Sequence, residues 1–247
     1  MDGHPLPIMI QNEETGNFEL DSEALEEVLL NPRVADKSVC VLAVAGAFRK
    51  GKSFLLDFML RYMSSQQSEQ WLGDIHQPLK GFKWSQGPER ETTGVLIWSK
   101  PFVIKKQSGE EVAVILMDTQ GTFDLQSSMK DSTMVFALAT MVSSVLVYNI
   151  INNIQEDDLM NLQLFTSYGK LALEDCDTTS PFQKLHFLVR DWSYPFVVPY
   201  GHQGGQKLLD QILMVTEKQH PAHQEVRRDL RKCFRDINCY LMPHPGF

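Results

Sequence analysis

No stretch of this 247-residue chain approaches the run of about 18 apolar residues that a membrane-spanning helix needs, and residues 1–11 carry no basic flank leading into an apolar run. Neither a span nor a secretory leader is expected. Cysteine is scarce, and Cys40, Cys176, Cys233 and Cys239 form no C-x-x-C pair. Cys40 sits in an apolar run where a buried free thiol is expected, and a reducing, cytosolic setting follows. His220 and His223 flank Pro221 with no third ligand nearby, so a solvated turn is expected there rather than zinc. Basic residues are outnumbered, 23 against 31 acidic, for a net charge of −8, which argues against nucleic acid as the main partner. There is no internal repeat and no low-complexity tract. With 43% hydrophobic and 22% charged residues the chain is ordinary globular material, which disfavours disorder, collagen and coiled coil.

What is present is an alternation of apolar runs and helical spacing. Residues 1–36 read as an N-terminal extension with one short helix at 21–30, capped by Asp21 or Ser22 and stopped by Asn31-Pro32. Residues 37–247 read as one domain. Its first strand, VCVLAVA at 39–45, is continuously apolar, as a strand buried on both faces must be. A glycine-bounded turn leads into a helix at 53–63. Strands at 94–98 and 112–117 follow, joined across a hairpin tip at 105–111, and they give one antiparallel edge. Helices at 131–142, 155–173 and within 206–235 then alternate with strands at 144–148, 185–189 and 238–241, the pattern of βαβ units. The expected fold is α/β: a mostly parallel central sheet with helices on both faces and one antiparallel edge.

Between the first strand and its helix lies GAFRKGKS, residues 46–53, which satisfies G-x-x-x-x-G-K-[ST]. Glycines let the backbone fold around an anion so that amides and the helix N-terminus face phosphate. Lys52 then reaches the β and γ oxygens, and Ser53 offers its hydroxyl to Mg²⁺. The strand VAVILM ends in Asp118-Thr119-Gln120-Gly121. An acidic residue there holds the metal through water, and the glycine lets the backbone swing towards the γ-phosphate. In Glu91-Thr92-Thr93-Gly94, a threonine entering the next strand can bind the metal in the triphosphate state, Thr92 ahead of Thr93. Arg49, among the phosphate-facing residues, can supply charge to phosphoryl transfer without an outside activating protein.

No N-K-x-D occurs, so base reading must come from elsewhere. Arg190-Asp191 follows the strand LHFLV, where the base sits in a doubly wound sheet. A carboxylate accepts two N–H groups from guanine, which adenine does not offer, and an arginine plane can stack on the base.

GAFRKGKSFLLDFMLRYM, WLGD, ERETTG, MDTQGTFD, NIQEDDL, QLFTSYGK, FLVRDWSYP and LMPHPG together resemble the GTPase domain of the atlastins, in the dynamin superfamily, across almost the whole chain. The guanylate-binding proteins share the Arg-Asp base reader but are more distant. The resemblance implies that Arg49 is the catalytic arginine, with Lys52 and Thr92 beside it. It also implies that Ser53, Thr92 and Asp118, the last through water, serve Mg²⁺. The nucleotide-binding set becomes Gly46, Ala47, Phe48, Arg49, Lys50, Gly51, Lys52, Ser53, Phe54, Gln120, Gly121, Arg190, Asp191 and His244, the last in the loop near the guanine cap. Leu146 and Leu125 depart from the family's usual glutamine and serine. By the same resemblance, GTP hydrolysis to GDP is coupled to homodimerisation through this domain, with tethering and homotypic fusion of endoplasmic reticulum membranes as the outcome. The family's helical middle domain and membrane segments are absent from these residues, so the domain is expected on the cytosolic face, soluble and without membrane contact of its own. Two other readings stand beside it: a guanylate-binding-protein-like enzyme that proceeds to GMP, and a binding module with negligible turnover.

Overall fold

The computed structural model describes residues 3–12, 15–66, 68–74, 76–84, 92–122, 128–172 and 180–246. Glu91, Leu125 and Cys176, singled out above, lie outside them. The chain forms two compact units, Met1–Val44 with Gly51–Gly121, and Ala45–Lys50 with Thr122–Phe247.

In the first unit β1 (Pro5–Gln11) and β2 (Phe18–Leu20) precede α1 (Ser22–Leu29), whose first turn is capped by Asp21 accepting from the Ala24 N–H at 2.9 Å. The apolar run becomes β3 (Ser38–Ala45), and α2 (Lys52–Ser64) follows the phosphate loop. β4 (Val95–Trp98) and β5 (Phe102–Lys105) lead to β6 (Glu111–Thr119), which is buried from Val112 to Thr119. β3 and β6 run parallel, with Ser38 opposite Val112 and Val44 opposite Asp118. The other edge of β6 takes β4 and β5 antiparallel, β1 pairs β4, and β2 pairs β1.

The second unit holds α3 (Met129–Val142), β7 (Val145–Ile151), α4 (Glu156–Ala172), β8 (Phe182–Arg190), α5 (Gly201–Ile212), α6 (Pro221–Cys233) and β9 (Phe234–Leu241). β7, β8 and β9 are parallel neighbours in that order. Ser128 and Asp131 form a reciprocal capping box that starts α3. Phe136 of α3 meets Tyr148 of β7 edge-on at 5.8 Å, and Tyr148 meets Phe187 of β8 at 6.0 Å, so aromatic rings carry the packing from helix into sheet. Arg227 of α6, buried at 6% exposure, grips both carboxylate oxygens of Glu156 at 2.6 and 2.7 Å and donates through Nε to the Ile212 carbonyl, tying α4, α5 and α6 together.

The parallel pairs and the antiparallel strands gathered beside β6 match the expected class. Three strands were not expected. β1 and β2 lie in the extension read as carrying only a helix, and the prolines of PLPIMIQ hid β1. Pro5 and Pro7 fall where β1 pairs only β4, because β2 reaches only Met9, Ile10 and Gln11, so a missing N–H costs no ladder bond on the open side. β5 is four residues long and alternates half-buried with exposed, too short to stand out from its hairpin. The hairpin tip itself is where expected, with the Lys106 N–H bonded to the Glu110 carbonyl at 2.8 Å.

Candidate functional site

In the first unit, the parallel register of β3 and β6 brings Asp118 to the carboxyl end of its strand beside the start of α2. Asp118 is fully buried, and its Oδ2 accepts from Ser53 Oγ at 2.6 Å and from Thr92 Oγ1 at 3.0 Å, while the two hydroxyls are 3.4 Å apart. Three oxygens that sequence reading assigned to a metal are thus brought together, and of the two threonines it is Thr92 that stands there. Burial pushes the Asp118 carboxyl above its ordinary range, and the buried Lys52 together with the Ser53, Thr92 and Thr119 bonds pulls it back. Its Oδ1 has no hydrogen-bond partner among the described residues. A buried carboxylate oxygen left unpaired beside two hydroxyls suits a hard cation that takes oxygen ligands.

Gly51, at φ +70°, precedes α2, and no side chain of this N-cap residue caps the first turn that Lys52 and Ser53 open. Gln120 and Gly94 are joined twice. The Gln120 N–H donates to the Gly94 carbonyl at 2.8 Å, and the Gln120 side-chain oxygen accepts from the Gly94 N–H at 2.9 Å. Gly94 has φ +69°, and a Cβ there would lie 2.0 Å from the Met9 carbonyl oxygen, so only glycine fits at this position against β1. Gly121 is buried just beyond Gln120. Phe54, in the first turn of α2, meets Phe58 and Trp84 edge-on at 5.0 and 4.9 Å.

The other half of the motif belongs to the second unit. Ala47 bridges to Thr122, the Phe48 N–H donates to the Thr122 carbonyl at 2.9 Å, and the Thr122 N–H returns to the Gly46 carbonyl at 3.2 Å. Gly46, at φ +140°, lies against β7, and a Cβ would come within 2.6 Å of the Asn149 carbonyl oxygen. Arg49 adopts φ +58°, a left-handed conformation that a side chain other than glycine's takes at a cost, and its guanidinium lies 5.8 Å from the Phe48 ring centre. The Lys50 carbonyl accepts from Asn149 Nδ2 at 2.8 Å and from the Arg190 guanidinium. The loop is therefore braced at its middle from both β7 and β8.

At the end of β8 the chain turns at Asp191, a left-handed residue with φ +60°. The Asn152 N–H donates to the Arg190 carbonyl, and the Trp192 N–H donates to that of Met242, so the turn is held beside the loop containing exposed His244. No hydrogen bond among the described residues engages the Asp191 carboxylate. Arg190 is directed to the phosphate loop, and burial lowers its guanidinium pKa while Asp191 opposes the shift. Asn149 and Thr122 were missed by sequence reading. For Asn149 a signal existed: it is the one polar residue in VLVYNII, 2% exposed in a buried strand.

The family model described as guanylate-binding protein, N-terminal domain, matches residues 15–247. Over 242 residues the chain is 57% identical to atlastin-2 of Xenopus laevis, covering 98% of this chain and 42% of that protein. It is 54% identical to atlastin-2 of Homo sapiens, covering 98% and 41%, and 55% identical to atlastin-1 of Mus musculus, covering 98% and 43%. The chain thus spans about two fifths of the length of these relatives. No helix among its described residues is long and apolar enough to cross a membrane.

Proposed function

Because the chain belongs to the guanylate-binding protein N-terminal domain family, a P-loop GTPase domain that the atlastins share, we propose that it binds GTP with Mg²⁺ and hydrolyses it to GDP and phosphate. The observation that carries this reading is the group formed by half-buried Ser53 with buried Thr92 and Asp118 at the start of α2, with one aspartate oxygen unpaired among the described residues. Ser53 and Thr92 are the candidates to hold the ion directly, and Asp118 to hold it through water. When bound, Mg²⁺ neutralises charge on the β and γ oxygens. Lys52, buried beside Asp118, brings its ammonium to the same oxygens at the N-terminus of α2, where helix amides face an anion. Gln120, its side-chain oxygen fixed on the Gly94 N–H, steadies the turn that carries Gly121 towards the γ-phosphate. Arg49 leaves the Phe48 ring to meet charge developing in the transition state, which its strained backbone supports. Asp191 reads guanine N1 and N2, with His244 in the adjoining loop.

Likeness to the atlastins extends the proposal to GTP-dependent pairing of two copies through this domain, and to tethering and homotypic fusion of endoplasmic reticulum membranes by a longer chain. The first test is multiple turnover with GTP and Mg²⁺, followed by nucleotide chromatography. GDP and phosphate, lost on chelation of the metal, is the expected result. GMP would assign the chain to the two-step guanylate-binding-protein chemistry instead, and bound but unconverted GTP would make it a binding module. Light scattering with GTP against GDP tests pairing, and a mass that does not depend on nucleotide would refute it.

A further inference from the structure

In the first unit, a cavity of about 930 Å³ opens beside β5, at the far end of β6 from Asp118, roughly 20 Å along the strand. Every residue from Pro101 to Lys105 lines it, with Met63 and Trp98 adding apolar wall. Arg33, Lys37, Lys100 and Lys105 also line it, and the only acid among the lining residues, Glu111, is paired with Lys37 at 3.2 Å. In a chain of net charge −8 this is a local reversal of sign.

β5 pairs with β6 alone among the described strands. The hairpin that joins them fixes which peptide groups point outward. Lys106 donates to Glu110, and Gly109, at φ +89°, donates to the Lys106 carbonyl at 2.9 Å, so Lys106 and Glu110 are a hydrogen-bonded pair. Pairs alternate along an antiparallel ladder, so Ile104 with Val112 and Phe102 with Val114 are bonded too. Val103 and Lys105 therefore turn their N–H and C=O groups to the open edge, and Val103 leaves 42% of its surface exposed. An open strand edge beside a pocket for alternate side chains is the geometry of strand addition.

We propose that this edge is a docking site for an extended peptide segment of another protein that alternates acidic and apolar residues. One face of the added strand continues the half-buried Phe102 and Ile104, and the other presents carboxylates to the basic rim. A second copy of this chain is the poorer occupant, because lysines at 105 and 106 are charges of the kind that blunt edge-to-edge pairing.

The test is amide NMR on the full labelled chain, titrated with an acetylated, amidated octapeptide alternating glutamate with valine. Shifts at residues 101–106 and Arg33, with slowed exchange of the Val103 and Lys105 amides, are expected. The same peptide with a central proline, octaglutamate, and the lysine–valine analogue should each bind more weakly. Val103→Pro removes an outward N–H without touching the β5–β6 bonds and should weaken binding about threefold to tenfold, the worth of one hydrogen bond. Lys105→Glu, the variant gentler on the fold, should reverse the preference between the acidic and basic peptides. GTP affinity serves as the folding control for both. Equal binding of the proline-interrupted peptide or octaglutamate overturns strand addition. So does absence of binding, or shifts at the same residues produced only by phosphatidylserine vesicles.

Discussion

Replacing Arg190 by alanine removes the guanidinium that donates to the Lys50 carbonyl in the middle of the phosphate loop. Asn149 still holds that carbonyl at 2.8 Å, so the loop loses one of two braces. A hydrogen bond from a charged donor contributes about 1.5–3 kcal/mol, and because Arg190 is only half-buried the lower end applies, about 1.5 kcal/mol or roughly tenfold in affinity. The loss falls on the phosphates. Titration calorimetry with GTP and with magnesium tripolyphosphate, which has no base, should show both weakened by a similar factor. If Arg190 acts instead by stacking on guanine, GTP binding falls while tripolyphosphate binding stays at the wild-type value, and the brace is refuted.

Asp191→Asn should lower GTP affinity and raise that for xanthosine triphosphate, because the amide donates to the oxygen that xanthine carries in place of guanine's amino group; competition binding reads the ratio. Arg49→Ala should bind GTP nearly normally and hydrolyse it about 10³-fold or more slowly, the usual worth of a supplied arginine, measured by phosphate release. Asp57 of α2 is 1% exposed, and burial pushes its carboxyl up to about 6 against bonds from the Phe82 N–H at 2.7 Å and Trp84 Nε1 at 3.0 Å. Since the folded value lies above the unfolded 3.8, the native state holds the extra proton between them, and this group's contribution to stability is full below about pH 4 and lost as pH rises through 6. Denaturant titrations should show a fall of order 1–3 kcal/mol across that window, and Asp57→Asn should flatten it.

Much of the candidate site is local and therefore legible. GAFRKGKS declares itself because one short segment supplies the glycines, the lysine and the hydroxyl, and Asp118 follows from an apolar strand ending in an acid. What stayed hidden depends on contacts between distant residues. Thr92 and Thr93 are equivalent in sequence, and only the fold brings Thr92 within 3.0 Å of Asp118. The Arg190 guanidinium meets a carbonyl 140 residues earlier in the chain, a contact that nothing in the local sequence announces. Phe54 adjoins the motif, and its edge-on contact with Trp84, 30 residues later, likewise depends on the fold. In the fold, continuous apolar runs marked β3 and β6, whereas β1 was disguised by prolines that its one-sided pairing tolerates.

The most direct measurement is a single turnover, with the protein in excess over GTP labelled in its γ-phosphate and Mg²⁺ present. Labelled phosphate released in a single exponential phase is predicted, with Lys52→Ala failing to bind and Arg49→Ala holding its GTP intact. Wild-type protein that binds the label tightly and returns it all as unhydrolysed GTP would contradict the account.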